Sequence, residues 1–169
     1  AGATIHSDLQ NSGETLWSIW SWQTVAHTQA LEDVFGQPIG TMMQFDHWNL
    51  RRLRGLQEGP GGYQDILDAG YIPHVVWMGP QAVDAADPTP WPEGTPAASV
   101  YQEGGERHGQ FCQDVVDGVL DEKLRAIAQE LGNVDGPVLF NPWEEANGNW
   151  RPAIGTMNNG PETWAAAWR

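Results

Sequence analysis

An α/β fold is what the sequence predicts, on three observations. Apolar runs of strand length alternate along the chain with stretches of helical period. Glycine and proline punctuate the junctions between them. The last apolar run, Val138, Leu139 and Phe140, is bounded by Gly-Pro and Asn-Pro, the pattern of a strand buried on both faces. A length of 169 residues with 40% hydrophobic content fits one globular domain.

In chain order, residues 1–13 are polar and without period, an irregular lead-in whose Ala1-Gly2-Ala3 suits a processed N-terminus. Residues 15–22, TLWSIWSW, crowd three tryptophans around Leu16 and Ile19 and read as the end of a first strand and its loop. Val25, Ala26, Leu31, Val34 and Phe35 fall near helical spacing, and Gly36 with Pro38 stops that helix. Residues 39–48, IGTMMQFDHW, form a strand ending in Asp46, His47 and Trp48. Loops after parallel strands build ligand sites, so polar and aromatic groups at that end are placed for one. An isolated histidine such as His47 is more often a satisfied structural residue.

Arg51, Arg52 and Arg54 are the one basic cluster and read as a solvated helix face making ion pairs. Residues 58–62, EGPGG, form a turn, residues 63–69 a short helix closed by Gly70, and residues 71–80, YIPHVVWMGP, a third strand. Residues 81–99 are rich in proline and poor in period, and a loop of that length is usually functional or mobile. Trp91 within it either clasps a substrate or pins the loop to the body, with pinning slightly preferred. The strongest helical pattern runs from Phe111 through Val115, Val119, Leu124 and Ile127 to Leu131, with Gly132 as its stop. Residues 151–158 are a loop. Pro161 and Glu162 then open a last helix, the proline in the first turn and the glutamate complementing the dipole.

A formal charge of −14 excludes partners that need a basic face, so neither nucleic acid nor an anionic membrane is expected. One lysine, Lys123, stands against seven arginines. Such acidity fits a protein adapted to high salt, where screening removes self-repulsion, or equally an ordinary acidic secreted protein. Cys112 is the lone cysteine, so no intrachain disulfide forms, and it is expected to pack as a small apolar residue. No apolar run reaches the roughly 18 residues that span a bilayer. None of the five histidines has HxxxH or HxH spacing, so no metal site and no cofactor are expected. Ten tryptophans exceed what a core of this size needs, and as a set they suggest sugar stacking.

Chemistry concentrates in residues 136–150, GPVLFNPWEEANGNW, where a strand runs into two carboxylates, an amide and a tryptophan. If strand geometry persists, Glu144 and Glu145 point to opposite sides, one facing a site and the other packing or pairing. This stretch resembles the His-Glu-Met-Asn-Gly-x-Trp signature of glycoside hydrolase family 26, the β-mannanase-type retaining hydrolases. On that resemblance Glu145 takes the acid/base position, Asn147 and Gly148 match directly, and Trp150 falls on the aromatic residue lining the sugar site. Glu144 replaces the family histidine and Ala146 the methionine. A second carboxylate beside the acid alters its pKa.

Three further segments extend the resemblance. LDAGYIPHVVWMGP is similar to the family's third-strand segment, with Trp77 and Pro80 matching and Met78-Gly79 standing where a glutamate is common. DGVLDEKLRAIAQEL is similar to the loop and helix before the acid/base strand, which implies a break at Gly118 with Asp121 capping the second piece. The PETWAAAWR segment matches the helix after it.

The resemblance implies a partial (β/α)8 TIM barrel, roughly its first four β/α units, with residues 1–169 as one incomplete domain. A whole barrel needs about 250 residues, so the nucleophile is expected on a C-terminal half beyond this sequence. That half, or a partner, is expected to cover the open sheet edge. The implied substrate is a β-1,4-linked polysaccharide or oligosaccharide, mannan first, and the implied location is extracellular. Glu145 is then the catalytic residue, with Trp48, Trp77, Glu144, Asn147 and Trp150 binding substrate. Two other readings stay open: a non-catalytic glycan-binding or structural protein that keeps the family fold, and an unrelated α/β protein in which Glu145 is a capping or ion-pairing residue.

Overall fold

The computed structural model describes residues 18–20, 24–56, 62–81, 89–143 and 159–169. Strand β1 (Ser18–Trp20) is followed by helix α1 (Val25–Phe35), β2 (Thr41–Asp46), α2 (Tyr63–Asp68) and β3 (Ile72–Trp77). Helices α3 (Phe111–Val116) and α4 (Asp121–Asn133), β4 (Leu139–Asn141) and α5 (Pro161–Trp168) complete the order. The strands make one sheet in the order β1-β2-β3-β4, parallel throughout.

The expected four-unit barrel fragment is overturned. The sheet is open, and each of its two edge strands is only three residues long. The crossover from β3 to β4 also departs from a single-helix β/α unit, since it holds α3, α4 and two 3₁₀ turns.

Local chemistry explains the element ends. Gly36 takes φ 63°, open to glycine at little cost, and its N–H donates to Glu32 O at 2.8 Å, closing α1. Gly118 at φ 78° separates α3 from α4 as the sequence suggested. Asp121, however, is the first residue of α4 and makes no cap. It pairs instead with Arg125 at 2.8 Å on the exposed helix face. Gly132 does not stop α4, which continues to Asn133.

Pro73 sits in β3 between two neighbours, where a missing N–H would ordinarily cost a ladder bond. Ile72 N–H goes to Gly40 O on the β2 side, so the Pro73 nitrogen faces the β4 side. There pairing begins only at His74, which lies opposite Leu139, and no bond is lost.

The core joins Met42, Trp48, Leu50, Ile66, Val75, Trp77, Tyr101, Phe111, Leu120 and Ile127. Cys112 is buried among them as expected, and burial pushes its thiol up to about 12, which leaves it unreactive at neutral pH. Residues 51–55 form turns, not a helix. Arg51 donates to Leu56 O at 2.8 Å, Arg54 to Asn49 O at 3.2 Å, and Arg52 to the Gln44 side chain.

Candidate functional site

The C-terminal ends of β2, β3 and β4 lie in register, Asp46 opposite Trp77 and Val76 opposite Asn141. Side chains leaving the sheet here share one rim, the position at which open parallel sheets bind ligands. Asn141 Oδ1 accepts the Trp143 N–H at 3.2 Å, a local turn that ends β4 and swings Trp143 back to the core. Glu144, Glu145, Asn147 and Trp150, the residues on which the acid/base expectation rests, lie outside the described residues.

Trp48 and Trp77 are described, and both are buried, with 2% and 0% exposure. Their rings stack at 5.4 Å with 24° between planes, and Phe111 meets each edge-on at 6.3 Å. Substrate stacking needs an open ring face, and these rings pack into the core instead. The aromatic contacts continue from Phe111 to Trp143 at 6.1 Å, and from Trp143 to Trp164 at 5.8 Å and Trp168 at 5.4 Å.

Asp46 is 4% exposed and turned inward. Its Oδ1 accepts the His47 N–H and its Oδ2 the Leu53 N–H, each at 3.0 Å, so it fastens the turn after β2. Burial raises its carboxyl to about 6, against the lowering effect of those backbone donors and of Arg52. Burial and the neighbouring Asp46 charge hold the Tyr63 phenol well above its ordinary range. The Tyr63 hydroxyl makes no well-formed hydrogen bond among the described residues.

That turn presents Asn49, whose Nδ2 donates to Thr89 O at 2.7 Å and whose Oδ1 accepts the Trp91 N–H at 3.1 Å. Trp48 Nε1 donates to Pro96 O at 3.3 Å. Trp91 thus pins its loop to the body. Arg54 lies 4.6 Å from the Trp91 ring centre and Lys123 5.5 Å, while Lys123 is also 4.2 Å from the Trp48 ring centre. Lys123 is fully buried and donates to Trp91 O at 2.5 Å.

A second buried charge lies on α3. Asp114 accepts two bonds from Arg107, at 2.5 and 2.6 Å, and one from the Tyr101 hydroxyl at 2.8 Å, fastening the turns before α3. Several buried polar atoms have no hydrogen-bond partner among the described residues: the indole N–H groups of Trp77, Trp143 and Trp164, and His47 Nδ1. A cavity of about 150 Å³, lined by Arg52, Tyr63, Gln64 and Glu130 among others, contains none of the expected site residues.

Among the described residues no cluster of His, Cys, Asp and Glu is arranged to hold a metal, and no helix is long and apolar enough to cross a membrane. What they supply at the rim is a packed aromatic base, a buried ammonium and a carboxylate committed to backbone donors. Sequence reasoning missed Lys123 and Asn49. A lone lysine in the first turn of a helix, against the dipole, was the available signal for the first; the second had none.

No family model matches this chain, and no curated protein matches it.

Proposed function

We propose that the chain is a glycoside hydrolase-like protein, similar to family 26, acting on a β-1,4-linked polysaccharide by a retaining mechanism with Glu145 as general acid/base. One observation carries the reading: the run Glu145-Ala-Asn147-Gly148-Asn-Trp150 follows directly on β4 in a parallel sheet. Loops that leave such strands at their C-terminal ends are where the ligands of open sheets bind.

In this reading Glu145 protonates the departing glycosidic oxygen and then accepts a proton from the attacking water. Asn147 orients the acid or holds a sugar hydroxyl, and Trp150 offers a ring face. Trp48 and Trp77 act from beneath, through the packing of the rim. The retaining partner is a second carboxylate about 5–5.5 Å from the first. Asp46 is not that partner, because both its oxygens are held by backbone N–H groups. Mannan is the first substrate, β-glucan and xylan the next, and the protein works outside the cell.

A non-catalytic glycan-binding protein is the second reading, favoured by Glu144 standing where the family has histidine. Reducing-sugar release from mannan, β-glucan and xylan, by the wild type and by Glu145→Gln, separates the two. The expected result is release from at least one substrate, falling about 10²–10⁴-fold in the variant. Binding without release supports the second reading, and neither binding nor release rejects both.

A further inference from the structure

Strand β2 carries the chain to the C-terminal rim, and its ladder with β3 lasts to the end, Met78 N–H donating to Asp46 O at 2.9 Å. The next residue is His47. Its backbone is fixed on both sides, the N–H donating to Asp46 Oδ1 at 3.0 Å and the carbonyl accepting the Leu50 N–H at the same distance. Leu50 takes φ 50° at this turn, the left-handed conformation that a β-carbon disfavours, and no other non-glycine residue among those described does so. Backbone strain of this kind clusters at binding sites. Within residues 46–50 the turn buries Asp46, Trp48, Asn49 and Leu50, and His47 alone stays partly exposed. Its imidazole has no hydrogen bond with any described residue, and Nδ1 is enclosed. Nε2 is therefore the nitrogen left for a ligand.

An imidazole binds metal ions, anions and hydroxyl groups. A metal ion calls for further His, Cys, Asp or Glu ligands, and no such cluster exists among the described residues. An anion is opposed by the formal charge of −14. A hydroxyl meets neither objection and, being both donor and acceptor, answers Nε2 in either tautomer. We propose that His47 is a substrate-binding residue of the rim, its Nε2 hydrogen-bonded to a hydroxyl of a β-1,4-linked glycan. The proposal rests on the glycan reading above and extends the sugar site from the end of β4 to the end of β2. Neighbouring strands lie about 4.8 Å apart, so these two ends are separated by about 10 Å across β3. That span is wider than one sugar ring, which assigns His47 to a unit next to the one held at the end of β4. The turn presents the ring on a backbone already fixed, so little freedom is lost when the sugar binds.

The test is calorimetric binding of β-1,4-mannohexaose, cellohexaose and xylohexaose to the wild type and to His47→Ala, His47→Gln and His47→Asn, with the imidazole NMR signals followed in the wild type. A glutamine amide nitrogen reaches the place of Nε2, an asparagine one only that of Nδ1. For the oligosaccharide that binds, His47→Ala and His47→Asn are expected to weaken affinity about tenfold and His47→Gln less than about threefold. The His47 signal is expected to shift on binding while those of the exposed His27 and His108 stay. Equal losses in His47→Gln and His47→Asn overturn the hydrogen bond, as does binding that leaves both the His47 signal and the affinity of His47→Ala unchanged. Either result leaves the glycan reading intact. Should the variants not fold, the wild-type His47 signal, assigned through the backbone, decides by shifting or staying. Failure of all three oligosaccharides to bind the wild type overturns the glycan reading and the role of His47 with it.

Discussion

The Tyr71 hydroxyl donates to Glu32 Oε2 at 2.7 Å, while Oε1 of the same carboxylate accepts the Ile39 N–H at the same distance. One side chain on α1 thereby fixes the start of β3 and the approach to β2, at the end of the sheet opposite the candidate site. Burial first, and then the hydrogen-bonded Glu32 carboxylate, raise the Tyr71 phenol to about 12, so the hydroxyl remains a donor throughout the physiological range.

Tyr71→Phe is expected to cost about 1–2 kcal/mol, as for a hydrogen bond to a charged group, and Glu32→Ala more, since it also strips the Ile39 N–H of its acceptor. Urea denaturation of both single variants and of the pair checks this. A double variant no less stable than Glu32→Ala alone is the expected sign that the two residues act as one unit.

Asp46 makes stability depend on pH in a direction unusual for a carboxylate. Burial lifts its folded value to about 6, above the ordinary 3.8, so the folded state binds the proton more tightly than the unfolded chain. The contribution is fully present below the unfolded value and is lost as pH rises through about 6. Between pH 5 and 7 the expected loss is ~1 kcal/mol. Unfolding free energies of the wild type and Asp46→Asn across this window check it, the variant lacking that part of the slope.

Gly104 and Gly105 are adjacent and are expected to respond differently to alanine. At Gly104 a Cβ meets nothing within 4 Å but the backbone sits at φ 80°, so Gly104→Ala should cost about 1 kcal/mol. At Gly105 a Cβ falls 2.4 Å from both Ser99 O and Val100 O, a clash with backbone that no side-chain rotation relieves. Gly105→Ala should lose more than about 2 kcal/mol. Thermal melts of the two variants side by side are the measurement.

Trp143 and Trp168 touch at 5.4 Å but sit at opposite ends of the exposure range, at 6% and 54%. Trp143→Ala removes the link between Phe111 and α5 and is expected to cost about 3–5 kcal/mol, Trp168→Ala well under half of that. Chemical denaturation of both decides whether the aromatic run is a continuous core.

Much of the local structure was legible because it depends on near neighbours. Strands β2 and β3 and helix α1 follow from period and punctuation within a dozen residues, and the break at Gly118 from the resemblance of its segment. The overall sheet form was not, because segment resemblance carries no information on how edge strands of three residues will pair. Tryptophan number suggested open ring faces, yet the same side chain fills a core equally well, and Trp48 and Trp77 do so. Asn49 reaches Thr89 across 40 residues, and Glu32 reaches Tyr71 across 39. Pairings of that separation leave no mark on the periodicity of either segment.

The strand order has a consequence for how the chain is made. Each of β2, β3 and β4 pairs with the strand immediately before it in the sequence, so no strand waits for a later one before finding its first template. A polypeptide emerging from the ribosome can therefore extend the sheet one strand at a time, each new strand docking on the flank its predecessor leaves. When synthesis reaches β4, that flank is a strand of three residues, too short to offer much of a template to another chain.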